Sequence, residues 1–260
     1  MYLRLLLIGI VLLIGAMRSP GARAEEPIAD VRPPNVVLIV ADDQGWAELG
    51  CQGVQDVPTP HLDRLAEKGA RFTQAYVTAS VCSPSRAGLL TGRYQQRFGH
   101  EFNPGREAAD AASHGLPLDE KTIADHLKAA GYRAAAIGKW HLGMTEAMHP
   151  LGRGFDTFYG FLHGGHGYFP TTGRRAKRNP ILRDRAVVTE SAYLTDAFAR
   201  EAVAFVRAHH AKPFFLYLPF NAVHTPLQAL DEDRARFEDV ADEDRRTYLA
   251  MQWAMDLSLI

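Results

Sequence analysis

Four short segments hold side chains able to do chemistry together. Cys82-Ser83-Pro84-Ser85-Arg86 sets a thiol beside a proline, a guanidinium and the start of a helix, an odd setting for a cysteine that only packs. Asp42-Asp43 places two carboxylates side by side. Unpaired they repel and resist desolvation, and a divalent cation resolves both problems. Oxygen ligands alone favour Ca²⁺ or Mg²⁺ over softer metals. Lys139 and His141 flank Trp140. In an extended segment residues two apart share a face, so a cation and an imidazole together suit an anion and a proton-transfer step. His224 follows an apolar run and precedes Thr225-Pro226. Each feature alone has a plainer reading. Asp42-Asp43 reads as an exposed turn or helix cap, Lys139 and His141 as a surface pair, His224 as a structural histidine, and Cys82 as the partner of Cys51 in a disulfide. The functional reading rests on the company these groups keep.

The elements that must position them alternate in type. Val36–Val40 is an all-apolar run rich in β-branched residues and reads as a strand buried on both faces. Thr59-Pro60 opens a helix with Thr59 as cap, Leu62, Leu65 and Ala66 as its apolar face and Gly69 as its stop. Phe72–Val77 reads as extended. Ile123, Leu127 and Ala130 form a second helical stripe closed by Gly131, followed by a strand over Arg133–Ile137. A long helix over Leu194–His209 leads to another buried strand, Phe214–Leu218. The pattern predicts an α/β fold with a mostly parallel sheet flanked by helices. Three predicted strands end in reactive side chains: Asp42-Asp43; Lys139 and His141; Asn221 and His224. Ligands of open α/β sheets bind beyond those carboxyl ends. Gly164–Arg185, with Arg174, Arg175, Lys177, Arg178, Arg183 and Arg185, reads as a long loop, either solvated or a rim attracting an anionic substrate.

The chain has 260 residues, 47% of them apolar, and a net charge of −1. That suits one large or two small globular domains and gives no sign of a nucleic-acid or membrane-surface partner. Arg4, the apolar run Leu5–Ile14 and Ala22-Arg23-Ala24 describe a signal peptide over residues 1–24. The apolar run falls short of the ~20 residues of a spanning helix, and an uncleaved anchor is the alternative. The expectation is export, with a periplasmic or extracellular mature chain. Cys51 reads as a small buried apolar side chain.

Cys82, Pro84, Ser85, Arg86, Leu90, Thr91, Gly92 and Arg93 stand where the signature of the type I sulfatases has them, and the chain resembles that family. Asn35–Cys51, Thr59–Thr73, Gly138–Gly143, Gly154-Phe155-Asp156 and Asn221–Gln228 are similar to further family segments in the same order. The resemblance implies an alkaline phosphatase/sulfatase-like fold. It also implies oxidation of Cys82 to formylglycine by a formylglycine-generating maturation enzyme. Asp42, Asp43 and modified Cys82 would hold Ca²⁺, with Mg²⁺ as the alternative. Arg86 would hold the hydrated nucleophile, and Lys139 would contact both it and the sulfate. His141 would take a proton, and His224 would meet a sulfate oxygen and help protonate the leaving group. His166, within Gly160–Phe169, would contact the rest of the substrate, a sulfated small molecule or glycan. No nucleic acid or stable membrane partner is implied. Family members are longer and supply further metal ligands from an Asp-Asn-Gly segment beyond the counterpart of His224. No such segment occurs here, and Tyr248–Ile260 reads as the middle of a helix. Residues 25–260 are therefore expected to be the N-terminal, incomplete part of a sulfatase catalytic domain, truncated on its C-terminal side. Two other readings stay open: a related metal-dependent phosphate or phosphonate ester hydrolase, and an inactive fragment that binds sulfated glycans.

Overall fold

A computed structural model describes residues 32–104, 114–171, 173 and 178–259. The expected signal peptide and Arg174, Arg175 and Lys177 lie outside the described residues. Six strands form one sheet in the order β1-β6-β2-β3-β4-β5. They are β1 (Val36–Val40), β2 (Arg133–Lys139), β3 (Thr157–Phe161), β4 (Ile181–Arg183), β5 (Ala186–Val188) and β6 (Phe214–Pro219). Three pairings, β1 with β6, β6 with β2 and β2 with β3, are parallel, and β4 and β5 add antiparallel. The mostly parallel α/β sheet expected from the alternation is thus the observed one.

Period-two alternation assigns β6 to two cores. Phe215 and Tyr217 face one layer with Leu90, Ala124, Trp140, Phe155 and Phe158. Phe214, Leu216 and Leu218 face the other with Phe198, Phe205, Leu249 and Met251. The first layer is carried by α2 (Cys82–Thr91) and α3 (Ile123–Ala129), the second by α4 (Leu194–His209) and α6 (Glu243–Leu257). Burying each such side chain contributes about 1.5–3 kcal/mol, so the centre of the sheet is its most strongly held part. Helix α1 (Pro60–Lys68) and the short α5 (Asp231–Arg234) complete the described α-helices.

Gly138, just before Lys139, has φ 133° and faces the Pro219 carbonyl so closely that no Cβ fits. Its partner across the ladder is Gly160. This pairing of glycines lets β6, β2 and β3 converge where the reactive residues emerge.

Several expectations are corrected. Strand β1 is exposed on one face, at Val37 and Ile39, because only Val36, Leu38 and Val40 meet a core layer. Proline opens α1 and Thr59 is its N-cap residue, as expected, but the Thr59 side chain makes no cap hydrogen bond. Its hydroxyl accepts from Gly50 N–H and donates to Asp63 instead. Phe72–Val77 joins no sheet, and Phe72, Tyr76 and Val77 are exposed. Part of the expected loop Gly164–Arg185 is strand: β4 and β5 form a hairpin turned at Asp184, whose φ is 54°. Aspartate tolerates that left-handed conformation better than most residues. Cys51 and Cys82 are both free thiols, which removes the disulfide reading. No helix among the described residues is long and apolar enough to cross a membrane.

Candidate active site

The sheet order makes neighbours of β1, β6 and β2, so their carboxyl ends meet. Asp42 continues the β1 ladder: its N–H donates to Ala222 O and its carbonyl accepts from Val223 N–H, both at 2.8 Å. That fixes a carboxylate of 5% exposure. Its Oδ1 accepts from Arg86 Nη2 at 2.9 Å and its Oδ2 from Lys139 Nζ at 2.5 Å. Burial pushes the Asp42 carboxyl up, but Arg86 and Lys139 together hold it below its ordinary value. Arg86 also donates to Lys139 O at 3.1 Å and Tyr217 Oη at 3.4 Å. Two buried cations share one buried anion, which leaves the group net positive and suited to an incoming anion.

Cys82 is the first residue of α2, beside this triad. A hydrogen bond with His224 holds the thiol below its usual range; burial opposes that and Lys139 adds to it. The same bond raises His224. His224 Nδ1 lies 2.5 Å from Thr225 O, and its Nε2 lies 3.6 Å from Asp43 Oδ2. Asp43 is 57% exposed and stands at the rim rather than in the buried group.

His141 leaves the extended conformation, with φ 57°, so the expected alternation from Lys139 stops before it. It is nevertheless buried in the same place, and its Nδ1 has no partner. Burial, then Lys139 and Arg86, depress its pKa to about 3, and the ring is neutral. Two residues that the sequence reading missed hold it. Ser83 Oγ donates to His141 O at 2.5 Å and lies 2.7 Å from His100 Nε2. Ser83 stood inside the motif and offered a signal; His100 offered none. Tyr168 was missed too. Its hydroxyl lies 2.6 Å from Asn221 O and 2.7 Å from His224 O and secures the loop that carries His224.

A cavity of about 750 Å³ opens over these groups. Cys82, His141, His166 and His224 line it, with His163, Asn179 and Arg178. Asp42, Arg86 and Lys139 are not in its lining and form the buried charged group behind it. Ligand atoms of Asp42, Cys82 and His224 lie within 4.8 Å of one another. Asn221 Oδ1, on the β6 end, is buried with no partner. Two carboxylates and an orphan amide oxygen on adjoining strand ends suit a hard divalent cation, and an oxygen in place of the Cys82 sulfur would improve that fit.

The Sulfatase family model matches residues 34–257. The chain belongs to the sulfatase family. It is 38% identical over 218 residues to mouse N-acetylgalactosamine-6-sulfatase, covering 76% of this chain and 41% of that protein. The chain thus spans about two fifths of the length of that curated relative. Among solved structures, Ps i-CgsB superposes with a TM-score of 0.81 at 44% identity, covering 87% of this chain and 53% of the other. Ps i-CgsB has also been solved in complex with k-i-k-neocarrahexaose.

Proposed function

We propose that this site hydrolyses the sulfate ester of a sugar, with position 82 as nucleophile after conversion of Cys82 to formylglycine. The observation that carries the reading is the convergence of Cys82, His224 and His141 on one cavity, with the Asp42–Arg86–Lys139 triad buried behind it. As a hydrated aldehyde, position 82 supplies two hydroxyls, one to attack sulfur and one whose deprotonation expels sulfate and restores the aldehyde. Asp42 and Asp43, with that oxygen, would hold a Ca²⁺- or Mg²⁺-class cation, which neutralises charge on the sulfate. Arg86 orients the nucleophile from behind. Lys139 keeps the pocket positive towards the sulfate oxygens. His141 offers its unpartnered Nδ1 to the second hydroxyl. His224, oriented by the Thr225 carbonyl, gives a proton to the leaving oxygen.

A sugar is favoured because both relatives named above carry carbohydrate in their descriptions. His166 and Arg178 line the cavity and would meet the sugar. Maturation requires a formylglycine-generating enzyme acting on the Cys82 motif, and export follows if residues 1–24 are a signal peptide. Peptide mass spectrometry of Phe72–Arg86 from the native exported protein tests the nucleophile. An aldehyde trappable by a hydrazine supports the reading, and an intact thiol in active protein overturns it. Faster turnover of an aryl phosphate than of an aryl sulfate would overturn the choice of ester.

A further inference from the structure

We propose that the chain with Cys82 still a thiol holds a zinc-class cation through Asp42, Cys82 and His224. This goes beyond the sulfatase reading and stands whether or not the protein turns over sulfate esters. Three different donor atoms converge from three elements: the end of β1, the first turn of α2 and the loop after β6. All three lie within 4.8 Å of one another. Carboxylate, thiolate and imidazole together are the donors of zinc rather than of calcium, which takes oxygen only.

The site is built rather than accidental. The Asp42 backbone is laddered to Ala222 and Val223. The start of α2 is pinned by the Asn103 side chain, which accepts from Ser83 N–H at 2.8 Å. Tyr168 holds the carbonyls of Asn221 and His224. Most telling is the imidazole. Its Nδ1–H is spent on the Thr225 carbonyl, which leaves the Nε2 lone pair facing Cys82 and Asp43. A backbone carbonyl on the far nitrogen is the usual companion of a metal-bound histidine, because it fixes the tautomer and aims the ring. Asp42 can serve although both its oxygens accept from Arg86 and Lys139, since each oxygen keeps a second lone-pair direction. Zinc bonds of about 2.0–2.3 Å require the three donors to draw together by roughly 1 Å, within reach of side-chain rotation. Cys82 and His224 line the cavity, so a water could complete the set, as in zinc sites with three protein ligands.

The consequence is that the metal follows the chemistry of position 82. Conversion to formylglycine removes the sulfur, makes the set oxygen-rich and turns its preference towards hard cations. Zinc would therefore mark unconverted protein.

The test uses the whole chain, metal-free, with the Cys82 thiol verified by peptide mass. Co²⁺ serves as the spectroscopic stand-in. The expected result is a thiolate-to-cobalt charge-transfer band at equimolar metal, lost on adding Zn²⁺ and unaffected by excess Ca²⁺. Cys82→Ser removes the band, His224→Gln weakens binding by more than about tenfold, and Cys51→Ser leaves both unchanged. X-ray absorption on the unsubstituted zinc protein needs no variant and should find one sulfur neighbour. No sulfur neighbour, a band that survives Cys82→Ser, or displacement by Ca²⁺ would each overturn the proposal.

Discussion

Asp42 meets Arg86 and Lys139 with all three side chains at 5% exposure or less. Glu190 and Glu201 meet Arg200 and Arg183 where both arginines are about half in water, at 51% and 52%. The second network ties α4 to the strands: Arg183 from β4 lies over the Tyr159 ring of β3, and Tyr159 donates to Glu190. The same charge types do different work in the two places. In the second network water still reaches the arginines and compensates their charge, although Glu201 and Glu190 are only 13% and 11% exposed, and an exposed pair contributes about 0.2–1 kcal/mol. In the interior the charges are costly to desolvate, and well-packed apolar side chains would hold the fold as well or better. On the proposed function, the buried triad with one cation in excess is explained by the anion it would bind, whereas the surface network is explained by anchoring.

Four substitutions sharpen or break this contrast. Asp42→Asn should have the largest effect, a loss of about 3–5 kcal/mol in urea unfolding, because Arg86 and Lys139 stay buried without their anion. A loss no larger than at the surface pairs would refute the distinction. Ser83→Ala should cost about 1–3 kcal/mol, since the His141 carbonyl and the His100 ring each lose a buried partner. Recovery with threonine, measured by thermal melting, would assign the effect to the hydroxyl. Glu190→Gln should cost no more than about 1 kcal/mol at neutral pH, and less at high salt.

That glutamate also sets a pH dependence. Burial raises its carboxyl, but hydrogen bonds from Arg200 and Tyr159 bring it down to about 2. The folded value is below the ordinary 4.5, so the unfolded chain binds the extra proton. Its contribution is whole above pH ~4.5 and fades as pH falls towards ~2. Urea midpoints across that window should converge for the parent and Glu190→Gln chains. Asp43→Asn should have the smallest effect on stability, within about 0.5 kcal/mol, as an exposed substitution. On the proposed function it should still weaken Ca²⁺ in a calorimetric titration of matured protein. Unchanged calcium affinity would remove Asp43 from the cation site.

Much of the central fold was legible. Phe214–Leu218 and Arg133–Ile137 lie within observed strands, and the helix over Leu194–His209 has the expected bounds. Long apolar runs and a clear helical period survive any tertiary context, so they can be read locally. The hairpin of β4 and β5 was not legible, because each strand is three residues long and the segment is rich in charge. Nor was the exposed face of β1, since an all-apolar run reads as doubly buried whether or not a second layer covers it.

By itself, the sequence determined which residues stand at strand ends, because strand periodicity and helix stops are properties of neighbouring residues. It also singled out Cys82 and its helix, through a motif thirteen or fewer residues long. Only the tertiary structure decided that Asp42, Arg86, Lys139 and His224 share one place, because strand order β1-β6-β2 is set by packing between segments distant in the chain. It likewise decided that Lys139 lies buried on Asp42, that Asp43 stands at the rim, and that Ser83 and His100 hold His141. Those outcomes depend on which side chains lose water together, and no local spacing records that.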